Sequence, residues 1–289
     1  MKHVSVGTYS FGMACPLDTA GKLKKSAEMG CYGIELLEND LALTEPELKK
    51  ALQDAPIALV SIHARITDPE KFDNMCALLA PLGLKLAVVP GLDFCDRAET
   101  LDAAKILNTL GAIAKKYGIR VCYHNHTTEF YPDPETGKPL HEILIEETDP
   151  DLVSIQLDVG WATAAGVDVL AYLRKYPGRF ASIHVKECCR VIGTGIPRSA
   201  KAGPEFVIPE GGKFEFTPEM KAMMRERTSG QCKMGIPESL VDWKAIDAEF
   251  HRQGVEPEWI IEREYDYLEG RIQDCLQEDV NWLKANVLE

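Results

Sequence analysis

The chain has 289 residues, of which 45% are apolar and 27% are charged, and its formal net charge is −13. This length suits one α/β barrel, which typically takes about 250 residues. A surplus of acidic residues repels phosphate backbones and therefore disfavours nucleic acid as a substrate. We expect a single domain over residues 1–289 that acts on a small neutral molecule.

Membrane proteins and secreted disulfide-rich proteins are also disfavoured. No apolar run approaches the roughly 20 residues that a membrane helix needs, and residues 1–7 enter strand-like sequence without the apolar core of a signal peptide. The nine cysteines are scattered and contain no Cys-x-x-Cys pair, so neither a disulfide framework nor a zinc ribbon is indicated. We expect a cytoplasmic protein with reduced thiols.

Strand-like and helix-like segments alternate along the chain. Eight segments rich in β-branched, aromatic and other apolar residues predict strands at Val4–Phe11, Gly33–Leu37, Ile57–His63, Leu84–Val89, Arg120–His126, Val153–Val159, Phe180–Lys186 and Trp259–Glu264. Helices are predicted at Asp18–Met29, from Thr44 onward, and at Pro69–Leu82, Arg97–Tyr117, Pro139–Glu147, Val167–Tyr176, Trp243–Gln253 and Arg271–Leu288. This order predicts parallel strands joined by right-handed crossovers. Because no Gly-x-Gly-x-x-Gly turn favours a doubly wound sheet, we predict a closed (β/α)8 TIM barrel.

The segment 188–235 is much longer than an ordinary connection between a strand and a helix. Its glycines and prolines exclude one long helix, although Pro218–Thr228 predicts a short one. Since it follows the seventh strand, this insertion must rise over the C-terminal face of the barrel. Its apolar residues are Phe206, Val207, Ile208, Phe214, Phe216, Met220, Met223 and Met224. We expect them to cover the site as a wall or lid, or to contact a partner subunit in a homo-oligomer.

The predicted strand ends carry ionisable residues. They are Glu35, Glu38, His63, His124, His126, Glu129, Asp158, His184, Lys186, Glu187, Glu262 and Glu264. A barrel built for stability alone would fill its interior with branched apolar residues, so this set predicts a metal or acid-base site at one rim. His124 and His126 lie two residues apart, which predicts that they point to the same side of the fifth strand, with Glu129 just beyond it.

Four motifs in chain order, the second of them in two parts, carry a resemblance to a known family. They are Tyr123–Phe130, Leu157–Trp161, Ala165–Asp168, Ser182–Glu187 and Ile260–Glu262. In these motifs the chain resembles the xylose isomerase-like TIM barrel superfamily over nearly its whole length. That superfamily includes sugar phosphate isomerases and epimerases, AP endonuclease family 2 proteins, inosose dehydratase and 3-oxo-glycoside lyases. One scaffold hosts several chemistries, so the resemblance specifies the fold more closely than the reaction.

The resemblance implies one divalent metal ion, with Mn²⁺ as the first expectation and Mg²⁺, Co²⁺ or Zn²⁺ as alternatives. The implied ligands are Glu129, Asp158, His184 and Glu262. The first of these stays open, because the epimerases carry a glutamate about where this chain has His124. Either His124 or His126 is therefore the alternative to Glu129.

The resemblance also implies an isomerase or epimerase that removes a proton next to the carbonyl of a keto-sugar or keto-glycoside, through a metal-stabilised enediolate. The alternative is a lyase that expels water, as in inosose dehydratase, or an aglycone. The candidate bases are His124, His126, Glu129 and Glu262. Glu35, His63, Trp161 and Lys186 are expected to contact the substrate, and Lys186 is also a candidate catalytic residue. An endonuclease IV-like repair enzyme and a metal-free sugar-binding subunit remain as other classes.

Overall fold

A computed structural model describes residues 3–12, 15–202, 218–264 and 271–288. Eight parallel strands form a closed barrel in chain order, and β8 pairs with β1. The strands are β1 (Val4–Gly7), β2 (Gly33–Leu37), β3 (Ala58–His63), β4 (Leu86–Val89), β5 (Arg120–His124), β6 (Val153–Asp158), β7 (Phe180–Val185) and β8 (Glu258–Ile261). The predicted (β/α)8 barrel is confirmed.

Ten α-helices lie in these described ranges. They are α1 (Thr19–Glu28), α2 (Glu45–Asp54), α3 (Pro69–Leu79), α4 (Arg97–Lys115), α5 (Leu140–Glu147), α6 (Val159–Ala164), α7 (Val169–Lys175), α8 (Pro218–Arg227), α9 (Trp243–Gln253) and α10 (Ile272–Leu283). None of these helices combines the length and the apolar character that crossing a membrane requires.

Aspartate side chains set the start of most of these helices. Asp18, Asp68, Asp96, Asp168 and Asp242 each accept a hydrogen bond from the backbone N–H three residues later, which satisfies a donor that the first turn leaves unpaired. Asp158 does the same for α6, with 2.7 Å between its Oδ1 and the Trp161 nitrogen. The capping aspartate of α6 therefore stands at the end of β6, at the rim of the barrel.

Strand alternation separates the main core from the barrel interior. On β5, Val121 and Tyr123 point outward into the main apolar core between strands and helices. Cys122 points inward and packs with Leu86 and Val88 in a small separate cluster. Because side chains alternate along a strand, His124 shares the inward side with Cys122 and lies one layer closer to the C-terminal rim.

Several predicted strands end earlier than the sequence suggested. β1 stops at Gly7, and Thr8–Phe11 forms a 3-10 turn. β5 stops at His124, the last residue paired with β6, so the prediction that places His126 on this strand is wrong. β8 stops at Ile261, so Glu262 also follows its strand. The last paired residue of a strand depends on both strands of the pair, so a single segment does not reveal it.

The insertion after β7 is partly described. Residues 203–217, which include Phe206, Val207, Ile208, Phe214 and Phe216, lie outside the described residues, as do the side chains of Met220, Met223 and Met224. Before this gap, Ser199 Oγ donates to Glu99 Oε1 at 2.6 Å, and the Ala200 N–H donates to Glu99 Oε2 at 3.2 Å. After it, Gln231 pairs with Cys188. The insertion thus reaches from the end of β7 to the start of α4.

Candidate active site

Two overlapping groups of potential metal ligands lie inside the C-terminal rim. One group is His63, His124 and His184, and the other is His124, Asp158, His184 and Glu262. Within each group the ligand atoms lie within 4.8 Å of one another. His124, Asp158 and His184 are at most 1% exposed, and Glu262 is 8% exposed. The site is therefore formed where β3, β5, β6, β7 and β8 end.

The two carboxylate oxygens of Asp158 have different environments. Oδ1 caps α6, whereas Oδ2 has no hydrogen-bond partner among the residues described. Lys186 Nζ lies 2.9 Å from Oδ2 without hydrogen-bond geometry, and His184 Nδ1 lies 3.9 Å away. Burial raises the pKa of Asp158 to about 6, although Lys186 opposes the shift. Oδ2 thus has Lys186 as an ion-pair partner but accepts no hydrogen bond, which leaves it able to coordinate a divalent ion.

His184 lies between two carboxylates. Its Nε2 is 2.7 Å from Glu35 Oε1, and its Nδ1 is 3.0 Å from Glu262 Oε2. Burial alone would lower the pKa of His184, but Glu35 and Glu262 raise it to about 10. If Nδ1 binds a metal, the Nε2–H group can donate to Glu35. This is the common arrangement in which a carboxylate fixes the orientation of a ligating histidine.

Gln156 fixes the orientation of two other histidines. Its Oε1 lies 2.6 Å from His63 Nε2 and 3.0 Å from His124 Nδ1, while its Nε2 donates to Glu35 Oε2 at 2.7 Å. Because Oε1 can only accept, the facing ring nitrogen of His124 is the one that carries hydrogen. Burial also lowers the pKa of His124 well below 6.5, so the ring is neutral. His124 Nε2 is then left with a lone pair for a metal.

Glu129 is directed away from both ligand groups. It lies in the turn Thr128–Phe130, where its Oε1 accepts from the Tyr123 hydroxyl at 3.0 Å and its Oε2 accepts from the His126 N–H at 2.9 Å. Burial would raise the pKa of Glu129, but its contacts with His126 lower it to about 2. The structure thus places His124, rather than Glu129, beside Asp158 in the ligand group.

Lys186 lies beside the ligand group as a buried cation. Its Nζ is 2.7 Å from Glu262 Oε2 and 2.8 Å from Glu264 Oε2, in addition to its contact with Asp158. Burial would lower the pKa of Lys186, but these carboxylates raise it above its usual range. Gly160 permits this packing, since a Cβ there would lie 2.6 Å from the Lys186 carbonyl oxygen.

The residues predicted to contact the substrate lie at different depths. His63 lines the mouth of the barrel. Glu35 is buried behind His184, where it also accepts from Ser61 at 2.6 Å. Trp161 is 1% exposed, and its ring lies 4.6 Å from Lys186 Nζ and 5.0 Å from the Arg227 guanidinium carbon. Direct substrate contact by Glu35 and Trp161 stays a prediction, and both support residues nearer the cavity.

Two adjoining cavities open at this rim. The mouth cavity, of about 420 Å³, lies over the ligand group and is lined by His63, His124 and Glu262 among others. The side cavity, of about 800 Å³, lies between the loops after β4 and β5 and residues 190–198 of the insertion. Both are lined by Arg65, His126 and Arg227, so they adjoin. The insertion therefore forms part of the wall, at the side cavity.

The donor set fits one divalent ion. Ligand atoms that lie about 2.0–2.2 Å from an ion are roughly 3.5 Å apart, so atoms already within 4.8 Å need only small side-chain shifts. Two imidazoles and two carboxylates suit ions of borderline softness, such as manganese, cobalt and zinc. Asp158 Oδ2 forms no hydrogen bond among the residues described, so it is available to coordinate an ion beside its ion pair with Lys186.

The comparisons agree with the geometry of the barrel. Residues 23–286 match the model of a family described as xylose isomerase-like TIM barrel. The chain belongs to this family. Inosose dehydratase of Clostridium tetani is 31% identical in an alignment of 140 positions that covers 46% of this chain and 45% of that protein. The chain spans about half the length of the curated relatives it matches.

Two solved structures show the same fold. A sugar phosphate isomerase/epimerase from Parabacteroides distasonis has a TM-score of 0.72 and 23% identity, with 99% of this chain and 94% of that chain covered. The 3-keto-D-glucoside 4-epimerase from E. coli has a TM-score of 0.62 and 14% identity, with 99% and 100% covered. At these identities the likeness shows the fold alone.

Three residues of this xylose isomerase-like barrel were missed by sequence reasoning. Gln156 lies two positions before Asp158, and a polar residue at an inward position of a strand was the available signal. Arg65 lies two positions after His63, the last residue of β3, and its nearness to a predicted strand end was the available signal. Arg227 lies in the insertion, far from every strand end, and no local pattern indicated that it would reach the rim.

Proposed function

We propose that the protein is a divalent-metal-dependent enzyme that removes a proton next to the carbonyl of a keto-sugar or keto-glycoside, with isomerisation or epimerisation as the outcome. The observation that carries this proposal is the buried group of His124, Asp158, His184 and Glu262 beneath the mouth cavity. That cavity has about 420 Å³, within the usual range of small-molecule sites of roughly 300–1,000 Å³.

In this proposal those four residues hold one ion. The sequence left the ligand near the fifth strand open between Glu129 and either His124 or His126, and we assign this ligand to His124. A bound divalent ion would polarise neighbouring substrate oxygens and stabilise the negative charge of an enediolate. Glu35 and Gln156 hold the rings of His184 and His124 through the contacts described above. Lys186 holds Glu262 through an ion pair of 2.7 Å and also contacts Asp158 and Glu264.

We assign the role of general base to His126. With His124 and Glu262 assigned to the metal, His126 and Glu129 remain of the four candidate bases. The ring of His126 lines both cavities, and its Nδ1 lies 3.9 Å from Glu129 Oε1. Glu129 accepts from the His126 N–H and from Tyr123, so it is placed to orient the imidazole rather than to reach the mouth cavity.

Elimination is the second candidate reaction. It shares the same first step and differs in the fate of the enediolate, which expels water or an aglycone when a leaving group is suitably placed. The inosose dehydratase relatives favour this outcome. Metal-loaded protein would be incubated with 3-keto-glucosides, inosose and free ketohexoses, and the products would be analysed by mass. Products of unchanged mass support epimerisation, and loss of water or an aglycone supports elimination.

A DNA duplex with an abasic site serves as the comparison substrate in the same assay. Cleavage of that duplex without turnover of any keto-sugar would contradict both candidate reactions and support the endonuclease alternative. A protein that holds no metal and turns over nothing would instead support the sugar-binding alternative.

The metal assignment has its own test. Purified protein should carry about one divalent ion per chain, and chelation should remove the ion together with the activity. Asp158→Asn and Glu262→Gln should lower metal content, because each changes one ligand of a compact set. Asp168→Asn is the matched control, since Asp168 also caps a helix but lies outside the site. Full metal occupancy in Asp158→Asn and Glu262→Gln would refute the assignment.

A further inference from the structure

The side cavity has more arginine than the rest of the rim. Arg65, Arg190, Arg198 and Arg227 all line it, in a chain whose net charge is −13. Arg65 and Arg227 also line the mouth cavity, so the arginine cluster begins beside the metal ligands and extends under the insertion. An acidic protein that gathers guanidinium groups in one cleft creates a local positive potential there, because low-dielectric walls focus the field.

Three of these arginines lack a carboxylate partner within the described part of the chain. Arg190 donates to the Ser229 hydroxyl. Arg227 lies over the Trp161 ring. The guanidinium of Arg65 lies by Gly91, where an added Cβ would be 3.7 Å from Nη2. A neutral hydroxyl, a ring face and a glycine contact these side chains without adding a negative charge, although Glu38 Oε2 accepts from the Arg65 backbone N–H at 3.1 Å. Their N–H groups therefore remain able to bind an anion.

The lining carboxylates do not cancel this charge. Asp93 lies 3.8 Å from Arg198 Nε. Glu129 and Glu226 are the other carboxylates among the described lining residues, and Glu129 keeps its negative charge although Tyr123 and the His126 N–H donate to it. Arg65, Arg190 and Arg227 thus outnumber these two carboxylates by one.

We propose that the side cavity binds an anionic substituent of the substrate, a phosphate or a carboxylate group, while the keto-polyol end occupies the mouth cavity. This inference rests on the proposed function for the keto-polyol end of the substrate. It deepens that function by naming the substrate class. It departs from the small neutral substrate that the net charge suggested. Guanidinium groups bind planar carboxylates and phosphates through paired N–H donors, which is why three of them favour an anion over a neutral aglycone.

The test is direct binding to the metal-loaded protein, which needs no turnover. D-glucose 6-phosphate, D-glucuronate and D-glucose would be compared by calorimetry. At least one anionic sugar should bind about 10- to 100-fold more tightly than glucose, the effect of one or two charge-assisted hydrogen bonds. Tighter binding of the phosphate identifies a phosphate ester, and tighter binding of glucuronate identifies a carboxylate.

Variants of the lining arginines test whether the anionic group binds in the side cavity. Arg190→Gln should remove most of the preference for the anionic sugar and leave glucose affinity unchanged, since Arg190 lines only the side cavity of the two. Arg227→Gln should lower the affinity for the anionic sugar more than the affinity for glucose. Arg225→Gln is the matched control, because Arg225 is exposed on the same helix as Arg227 and does not line the cavity. Thermal melting of each variant checks that the barrel is intact.

Three results would overturn the proposal: equal affinity for charged and neutral sugars, no measurable binding of either anionic sugar, or a preference that both cavity variants retain. Retained preference would indicate that the anion binds the metal instead. These results are distinct from failure of the proposed function, which would appear as absent turnover of keto-sugars with anion binding preserved.

Discussion

Replacing His124 and Glu129 one at a time tests which residue completes the metal site. His124→Gln removes an imidazole of the ligand group, whereas Glu129→Gln changes a carboxylate bound to Tyr123 and the His126 N–H. We expect metal affinity to fall severely in the first variant and to stay within a few-fold of the original in the second. His124→Glu is a third variant, since it places a carboxylate where the epimerases have one.

The size of the effect follows from the number of ligands. Zinc sites with four protein ligands have apparent binding free energies of about 10–16 kcal/mol. One ligand of four therefore contributes on the order of 3 kcal/mol, which corresponds to about a 100-fold change in affinity. Asp158, His184 and Glu262 would remain in place, so His124→Gln should weaken binding by roughly that factor rather than abolish it. His124→Glu should recover most of the loss.

The assay is titration of metal-stripped protein with Mn²⁺ and Zn²⁺ in competition with a chromophoric chelator. Circular dichroism of each variant confirms the fold. The reasoning is refuted if Glu129→Gln loses metal while His124→Gln keeps it. In that case Glu129 must swing into the ligand group, and His124 would be released for proton transfer.

Three further predictions follow from the structure. Glu35→Gln should weaken metal binding by about 10- to 100-fold without removing a ligand, because Glu35 orients His184, and unchanged affinity in the chelator assay would contradict this role. Burial lowers the pKa of His141 to about 4, so its stabilising contribution is complete above pH 6.5 and is lost as pH falls toward 4. The contribution of His141 is the difference in free energy of unfolding between the protein and His141→Gln, and denaturant unfolding should show this difference fall by about 2 kcal/mol between pH 6.5 and 5. Replacing residues 191–230 by a short Gly-Ser linker, which the pairing of Cys188 with Gln231 permits, should leave the ion bound but lower turnover. Unchanged turnover and oligomeric mass would exclude the insertion as both wall and subunit interface.

Much of the fold could be predicted because its signals are local. Asp18 caps α1 as the sequence indicated, and Trp243–Gln253 is helical as predicted. Capping and hydrophobic periodicity depend on neighbouring residues, so one segment contains the information. The missed boundaries lie at the rim, where His126 and Glu262 follow shorter strands than expected. There the strand end depends on pairing with another segment, and β5 ends with the pairing of His124 and Gln156.

Only part of the candidate site could be predicted from the sequence, for the same reason. Asp158, His184 and Glu262 lie at or next to strand ends, and motif and strand position together brought them into one predicted set. The choice between His124 and Glu129 depended on the turn Thr128–Phe130, which directs the glutamate back toward Tyr123. Sequence spacing places both residues near the rim and leaves that direction undetermined.

The two cavities divide the rim into parts with different physical origins. The proposed metal ligands lie at or next to the ends of β5 to β8, where paired backbone and buried contacts such as those of Gln156 restrict the side chains. Arg65 follows β3, and Arg190 and Arg227 belong to the insertion. The arginines of the side cavity therefore lie in connections between strands and helices of the barrel. Groups on strands hold geometry more precisely than groups on loops, whereas loops change more readily between relatives. Proton abstraction requires the precision of the strand ends, and recognition of the distal part of a substrate tolerates the loops. The insertion can therefore alter which substrate is selected without displacing the ligands that the chemistry requires.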